Sequence, residues 1–206
     1  MLADLTIKEF LAKTASDTPV PGGGSGAALS AAVAAGLVEM VANLTIGKKG
    51  FEDVEAEMRK IAKLAAGLKE KLTGDIDQDS EAFNQVMAAF RLPKDTPEQR
   101  HVRSEAVQRG LKQAARVPLG VARDASKVIE LAAKVVEKGN KNAVTDGAVG
   151  ALMARTAVQG ALLNVKINLS FIKDDDFVGE ISKQVKQIED DSMIKVEKIL
   201  SRDVIF

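Results

Sequence analysis

Apolar positions recur three and four residues apart along almost the whole chain, and no stretch alternates with a period of two. The pattern predicts helices throughout. A first helix opens at Thr6, where Glu9 three residues on completes a capping box. Residues 14–24 hold Pro19, Pro21 and three glycines and read as a loop. A second helix is expected over about residues 25–46. Its Ala28, Ala31, Ala32, Ala35 and Gly36 let another backbone come close, and Gly47 with Lys48 and Lys49 stops it. A third covers about residues 51–73 and ends at Gly74, and a fourth runs over residues 75–90. Pro93 and Pro97 bracket the next loop. Residues 98–137 are helical with a kink or break expected at Pro118. After Gly139 another helix runs from near Asn142 to about Phe171, and the last spans residues 177–202. No composition shift marks a linker and no segment repeats. The fold class this predicts is all-α: one helical-bundle domain over residues 1–206, with long, partly kinked helices.

Composition narrows the chemistry. The chain has no cysteine and a single histidine, His101, which sits in a strongly polar stretch. Thiolate zinc sites, iron–sulfur clusters, Cys nucleophiles and His-based metal clusters are therefore excluded. Lys plus Arg number 29 and Asp plus Glu number 29, so no excess of positive charge points to nucleic acid or an anionic membrane. Trp and Tyr are absent, which argues against base-stacking platforms. The opening ten residues are amphipathic and carry Asp4, Lys8 and Glu9, unlike a secretory signal. Residues 22–38 lack charge, but Glu39 interrupts them before spanning length, so a buried soluble helix is expected. The expectation is a cytoplasmic protein whose chemistry comes from carboxylates, amides, hydroxyls, Lys, Arg and backbone groups.

Three clusters stand out. Gly22, Gly23, Gly24 and Ser25 open the alanine-rich helix, where free backbone N–H groups and the positive end of the dipole suit a carboxylate, phosphate or polarised carbonyl. A tight turn with close helix packing explains the same glycines equally well. Asp79 shares a helix face with Phe83, Val86, Met87 and Phe90. A carboxylate continuing an apolar stripe must be paired, hydrogen-bonded or exposed in a pocket. Asn140, Asn142, Thr145 and Asp146 crowd the entrance of a helix that is apolar or small at most positions, which suits a binding cleft or a cap network. Asn164 and Asn168 lie on the face of Asp146, but eighteen residues at ~1.5 Å each put Asn164 roughly 27 Å away. They bond core backbone, meet the far end of a bulky ligand, or serve a neighbouring subunit.

In order and spacing these residues resemble the cyclodeaminase/cyclohydrolase family of one-carbon folate metabolism. The resemblance covers nearly the whole chain. It is carried by residues 21–28, by Asp79 with Phe83-Asn84, and by Leu92-Pro93-Lys94. Gly139-Asn140 with Asn142, Thr145-Asp146 with Val149, and Asn164-Val165 with Asn168 complete it. Thr145 stands where related sequences often have Ser, which keeps a hydroxyl.

The resemblance implies a homodimer that acts on tetrahydrofolate derivatives with no metal and no separate cofactor. The first activity it implies is hydrolysis of 5,10-methenyltetrahydrofolate to 10-formyltetrahydrofolate. The alternative is formimidoyltetrahydrofolate cyclodeamination, and a second alternative is a non-catalytic folate-binding or interaction module. Asp146 is expected to do the acid/base work, because Asn140, Asn142 and Thr145 could orient it at the start of a rigid helix. Asp79 is the expected supporting carboxylate. Gly22, Gly23, Gly24 and Ser25 are expected to bind the folate, with Asn140, Asn142, Thr145, Asn164 and, in the loop after Phe90, Lys94 as further contacts.

Overall fold

Short side chains decide how this chain packs. Ala28, Ala31, Ala34 and Ala35 on one helix and Ala151, Ala154, Ala157 and Ala161 on another are fully buried. A Cβ on Gly150 would lie 3.3 Å from the Ala34 carbonyl oxygen, and one on Gly147 would lie 2.9 Å from the Val136 side chain. These two helices can therefore approach their neighbours closely only because they carry so little bulk.

The computed structural model describes residues 1–201. Its helices are α1 (Ile7–Thr14), α2 (Gly23–Asn43), α3 (Glu55–Phe90), α4 (Pro97–Lys138), α5 (Val144–Leu169) and α6 (Asp175–Leu200). Short 3-10 turns lie at Leu2–Asp4, Glu52–Val54 and Lys141–Ala143, and no strand occurs among the described residues. Helices α2, α3, α4 and α5 form an antiparallel ring. Ser25 on α2 meets Ile76 and Asp79 on α3, while Glu39 meets Lys69. Lys71 on α3 pairs with Asp124 on α4, and Lys138 with Glu57. The ring closes where Ser30 of α2 donates to the Met153 carbonyl of α5. Helix α6 lies along α4 and α5, tied by Lys195 to Glu130 and by Lys166 to Glu189. The capping box at Thr6 and Glu9 is present, and Thr96 with Gln99 makes a second one that opens α4.

The break expected at Gly74 does not occur, and the helix expected to kink or break at Pro118 is not interrupted there. Residues 51–73 and 75–90 were expected as separate helices, yet α3 runs unbroken through Gly74. A helical glycine costs about 1 kcal/mol relative to alanine. Leu72 and Ile76 beside it are buried, at roughly 1.5–3 kcal/mol each, so packing outweighs propensity. Helix α4 likewise continues through Pro118, which is buried. The proline leaves the Ala114 carbonyl without its helical donor. Asn168 on α5 supplies the missing bond, its Nδ2 donating to Ala114 O at 3.1 Å. The last helix was expected to reach Arg202, which lies outside the described residues. Segments Gly23–Asn43 and Lys141–Leu169 are long and apolar enough to cross a membrane, and 56% and 50% of their apolar windows are buried inside the fold.

Candidate functional site

The loop before α2 and the ends of α3, α4 and α5 enclose a cleft of about 400 Å³. Its walls are apolar: Phe83, Val86, Met87 and Phe90 from α3, Leu111 and Ala114 from α4, and Ile167 and Phe171 from the end of α5. Its polar groups gather at one end, where Gly22, Gly23 and Gly24 meet Asp79, Asn164 and Asn168. Asp79 is the one ionisable side chain among the described residues lining it. The helical offsets that put Asp79 in line with the phenylalanines thus become a single wall.

Asp79 is held against the start of α2. Ser25 Oγ lies 3.0 Å from Asp79 Oδ2 and 3.0 Å from the Ile76 carbonyl, with one proton to share between them. A Cβ on Gly24 would sit 2.0 Å from Asp79 Oδ1, so the carboxylate occupies the space that any other residue would fill. Burial raises the Asp79 pKa, and the Ser25 hydroxyl and backbone amide offset part of that by stabilising the ionised form. The glycines therefore do something the sequence did not reveal. They admit the protein's own carboxylate to a helix N-terminus, 55 residues away along the chain. Gly22 caps α2 without a side-chain bond, and Gly23 faces Asn164, whose Nδ2 donates to the Gly160 carbonyl.

Asn168 fixes the opposite wall. Its Nδ2 donates to both Ala114 O and Asn164 O, which joins α4 to α5 at the cleft. Asn168→Ala is expected to lower unfolding stability by about 1 kcal/mol, the usual net worth of such a bond. In a Pro118→Ala background the loss should shrink, because an alanine N–H would satisfy Ala114 O itself. Urea unfolding of the four proteins in that cycle measures the coupling.

The second cluster lies elsewhere. Helix α5 is continuous, so Asp146 in its first turn is roughly 27 Å along the axis from Asn164. Within one chain, Asp146 and Thr145 are not brought to Asp79. Asn140 is buried: its N–H donates to Thr45 Oγ1, its Nδ2 donates to the Leu44 carbonyl, and its Oδ1 accepts from Asn142 N–H. It pins the α4–α5 loop to the end of α2. Asn142 is exposed beside it. Lys94 is exposed and outside the cleft lining, with its carbonyl accepting from Arg100. The acidic run after Lys173 is a cap: Asp174 accepts from Phe177 N–H and pairs with Lys112. No group of three or more His, Asp or Glu among the described residues is placed to hold a metal.

Sequence reasoning missed Pro19, Val20, Leu111, Ala114, Ile167 and Phe171 as cleft residues. The readable signal was apolar bulk at the end of a helix where solvent was otherwise expected. Ile167 is 56% exposed and Phe171 is 61% exposed.

Comparison with known proteins places this geometry. The family profile described as formiminotransferase-cyclodeaminase matches residues 6–187. A methenyltetrahydrofolate cyclohydrolase from Methylorubrum extorquens is 44% identical over 186 residues, covering 90% of this chain and 89% of that protein. A formimidoyltransferase-cyclodeaminase from Sus scrofa is 34% identical over 95% of this chain, which spans only 36% of that longer relative. The crystal structure of a formiminotetrahydrofolate cyclodeaminase from Thermotoga maritima superposes with a TM-score of 0.87 at 33% identity, covering 97% of this chain and 96% of that one. The glycine-seated carboxylate at the end of an apolar cleft, in an all-helical ring of this topology, thus belongs to a chain that is a member of the formiminotransferase-cyclodeaminase family.

Proposed function

We propose that this protein hydrolyses 5,10-methenyltetrahydrofolate to 10-formyltetrahydrofolate, as a homodimer in the cytoplasm. The observation that carries the reading is the seat of Asp79: one carboxylate at the polar end of a cleft otherwise walled by phenylalanine and aliphatic side chains. A reduced bicyclic pterin, with one planar pyrimidine ring, fits such a slot. Its amino and ring N–H edge pairs with the carboxylate, and its rings lie against Phe83 and Phe90. Asn164 and the amides of Gly23 and Gly24 suit its carbonyl and ring nitrogens. The 44% identity to a cyclohydrolase along most of both chains favours hydrolysis.

The reaction is balanced by one carboxylate base. Water bonds through oxygen to the carbon bridging N5 and N10 as the base takes one of its protons. The bond from that carbon to N5 then breaks, its electron pair staying on N5, which receives the proton back. The remaining hydroxyl proton goes to solvent, leaving the formyl group on N10.

Cyclodeamination is the second reading, favoured by the likeness to the Thermotoga maritima enzyme. There N10 attacks the formimino carbon on N5 and ammonia leaves. Turnover assays separate the two. Purified protein should hydrolyse methenyltetrahydrofolate well above its spontaneous rate and release little ammonia from formimidoyltetrahydrofolate. Ammonia release as the faster reaction would reverse the assignment. Light scattering at micromolar concentration should give twice the chain mass, and a stable monomer would refute the dimer. Cell fractionation should recover the protein in the soluble fraction.

A further inference from the structure

The geometry points to a composite site, in which the partner copy's Asp146 completes the cleft that holds Asp79. The inference rests on the folate reading above for the chemistry, but its geometry comes from α5. That helix is apolar nearly all round, and such a helix is normally covered on every side. This chain leaves one of its faces bare: Val149, Leu152, Leu163 and Ile167 are 42–65% exposed. On α2 beside it, Val33, Met40 and Leu44 are exposed as well.

The bare stripe is self-complementary. Val149 and Ile167 share a midpoint near residue 158, and so do Leu152 and Leu163. The exposed Thr156 lies beside that midpoint, where a short side chain lets two helices approach. A two-fold axis crossing α5 there packs the helix antiparallel against its copy. Asp146 then falls level with the partner's Ser170, beside the partner's Asn168 and the partner's Phe171, at the cleft. Charge agrees with this direction. Lys141 comes opposite the partner's Asp175 and the partner's Asp176, and Lys173 comes within a turn of the partner's Asp146. None of these five residues makes an ion pair within the described chain. An axis running along α5 would instead set Asp146 and Lys141 each against its own copy, with like helix ends together. Bulk agrees too, because the exposed Met40 and Leu44 at the end of α2 meet the part of the partner where α2 begins in glycines. The two halves of the site-forming sequence, separated within one chain, are joined by this axis. Asp79 grips the substrate and the other chain's Asp146 handles the proton.

Two measurements decide the matter. The chain has no cysteine, so Asp146→Cys with Ser170→Cys can be linked by a short bismaleimide without competing thiols. Those positions are roughly 36 Å apart along one helix. A covalent dimer on a denaturing gel is expected from the double variant and from neither single one. Absence of that band overturns the inference whatever the activity. For function, Asp79→Asn and Asp146→Asn should each lose about a hundredfold or more in kcat/KM as separate homodimers. Co-expressed and randomly paired, they should regain about a quarter of wild-type activity, because half the dimers then hold one intact composite site. No recovery, or near-normal activity of Asp146→Asn alone, overturns the proposal. A wild-type protein inactive on every folate would defeat the functional reading instead, and the crosslink would still stand as the test of this geometry.

Discussion

Asp79→Asn is expected to lower kcat/KM by about two orders of magnitude while leaving the helical circular dichroism intact. Much of the loss should appear in KM. A hydrogen bond to a charged group is worth about 1.5–3 kcal/mol, and each 1.4 kcal/mol is a factor of ten. The stability change should run the other way. Burial raises the Asp79 pKa in the folded protein, so the stability this group contributes is fully present below its unfolded pKa and is lost as pH rises through the folded value. Above the folded pKa the ionised carboxylate is a net cost to folding, and there the Asn variant should have a Tm equal to or above wild type. The same shift sets the pH profile. As pH falls, wild-type kcat/KM should drop on an acid limb above the ordinary aspartate value of 3.8, and that limb should vanish in Asp79→Asn. A variant that loses stability and keeps activity would make Asp79 a structural cap.

Gly24→Ala should be nearly as damaging, although it adds only one methyl group. The new Cβ would lie 2.0 Å from Asp79 Oδ1 and 2.5 Å from its Cγ, so the carboxylate must leave its seat. Alanine is the better helix former, and α2 itself should be undisturbed. The expected loss in kcat/KM is again about a hundredfold, within the range for displacing a positioned group. Combining Gly24→Ala with Asp79→Asn should add little, since both act through the same carboxylate. Gly23→Ala, whose Cβ would meet only Asn164 Nδ2 at 3.4 Å, should cost much less. Equal effects at the two glycines would mean that backbone N–H contacts to substrate, rather than the seat of Asp79, dominate this end of the cleft.

Much of this was legible in the residues themselves. Helical periodicity placed the elements, and the offsets from Asp79 to Phe83, Val86, Met87 and Phe90 put on one helix face the residues that line one wall of the cleft. What local reading could not reach was decided by contacts between distant segments. Gly74 reads as a break and Pro118 as a kink or break because propensity is local, whereas burial of Leu72 and Ile76 and the bond from Asn168 come from tertiary packing. The same applies to the site. Asn140, Asn142, Thr145 and Asp146 look like one constellation because they are neighbours in sequence. In the fold Asn140 is consumed by the end of α2, and Asp146 stands at the other end of α5 from the cleft. Gly24 and Asp79 share no sequence signal, yet they are the closest-fitted pair in the cleft.

A crystal structure with 10-formyltetrahydrofolate bound shows whether the pterin occupies the cleft between Asp79 and Asn164. Density for the bicyclic ring is expected between Phe83 and Phe90, with its amino edge on Asp79 and its other end leading out past Phe171. Ring density away from Asp79, with this cleft left to solvent, would contradict that placement.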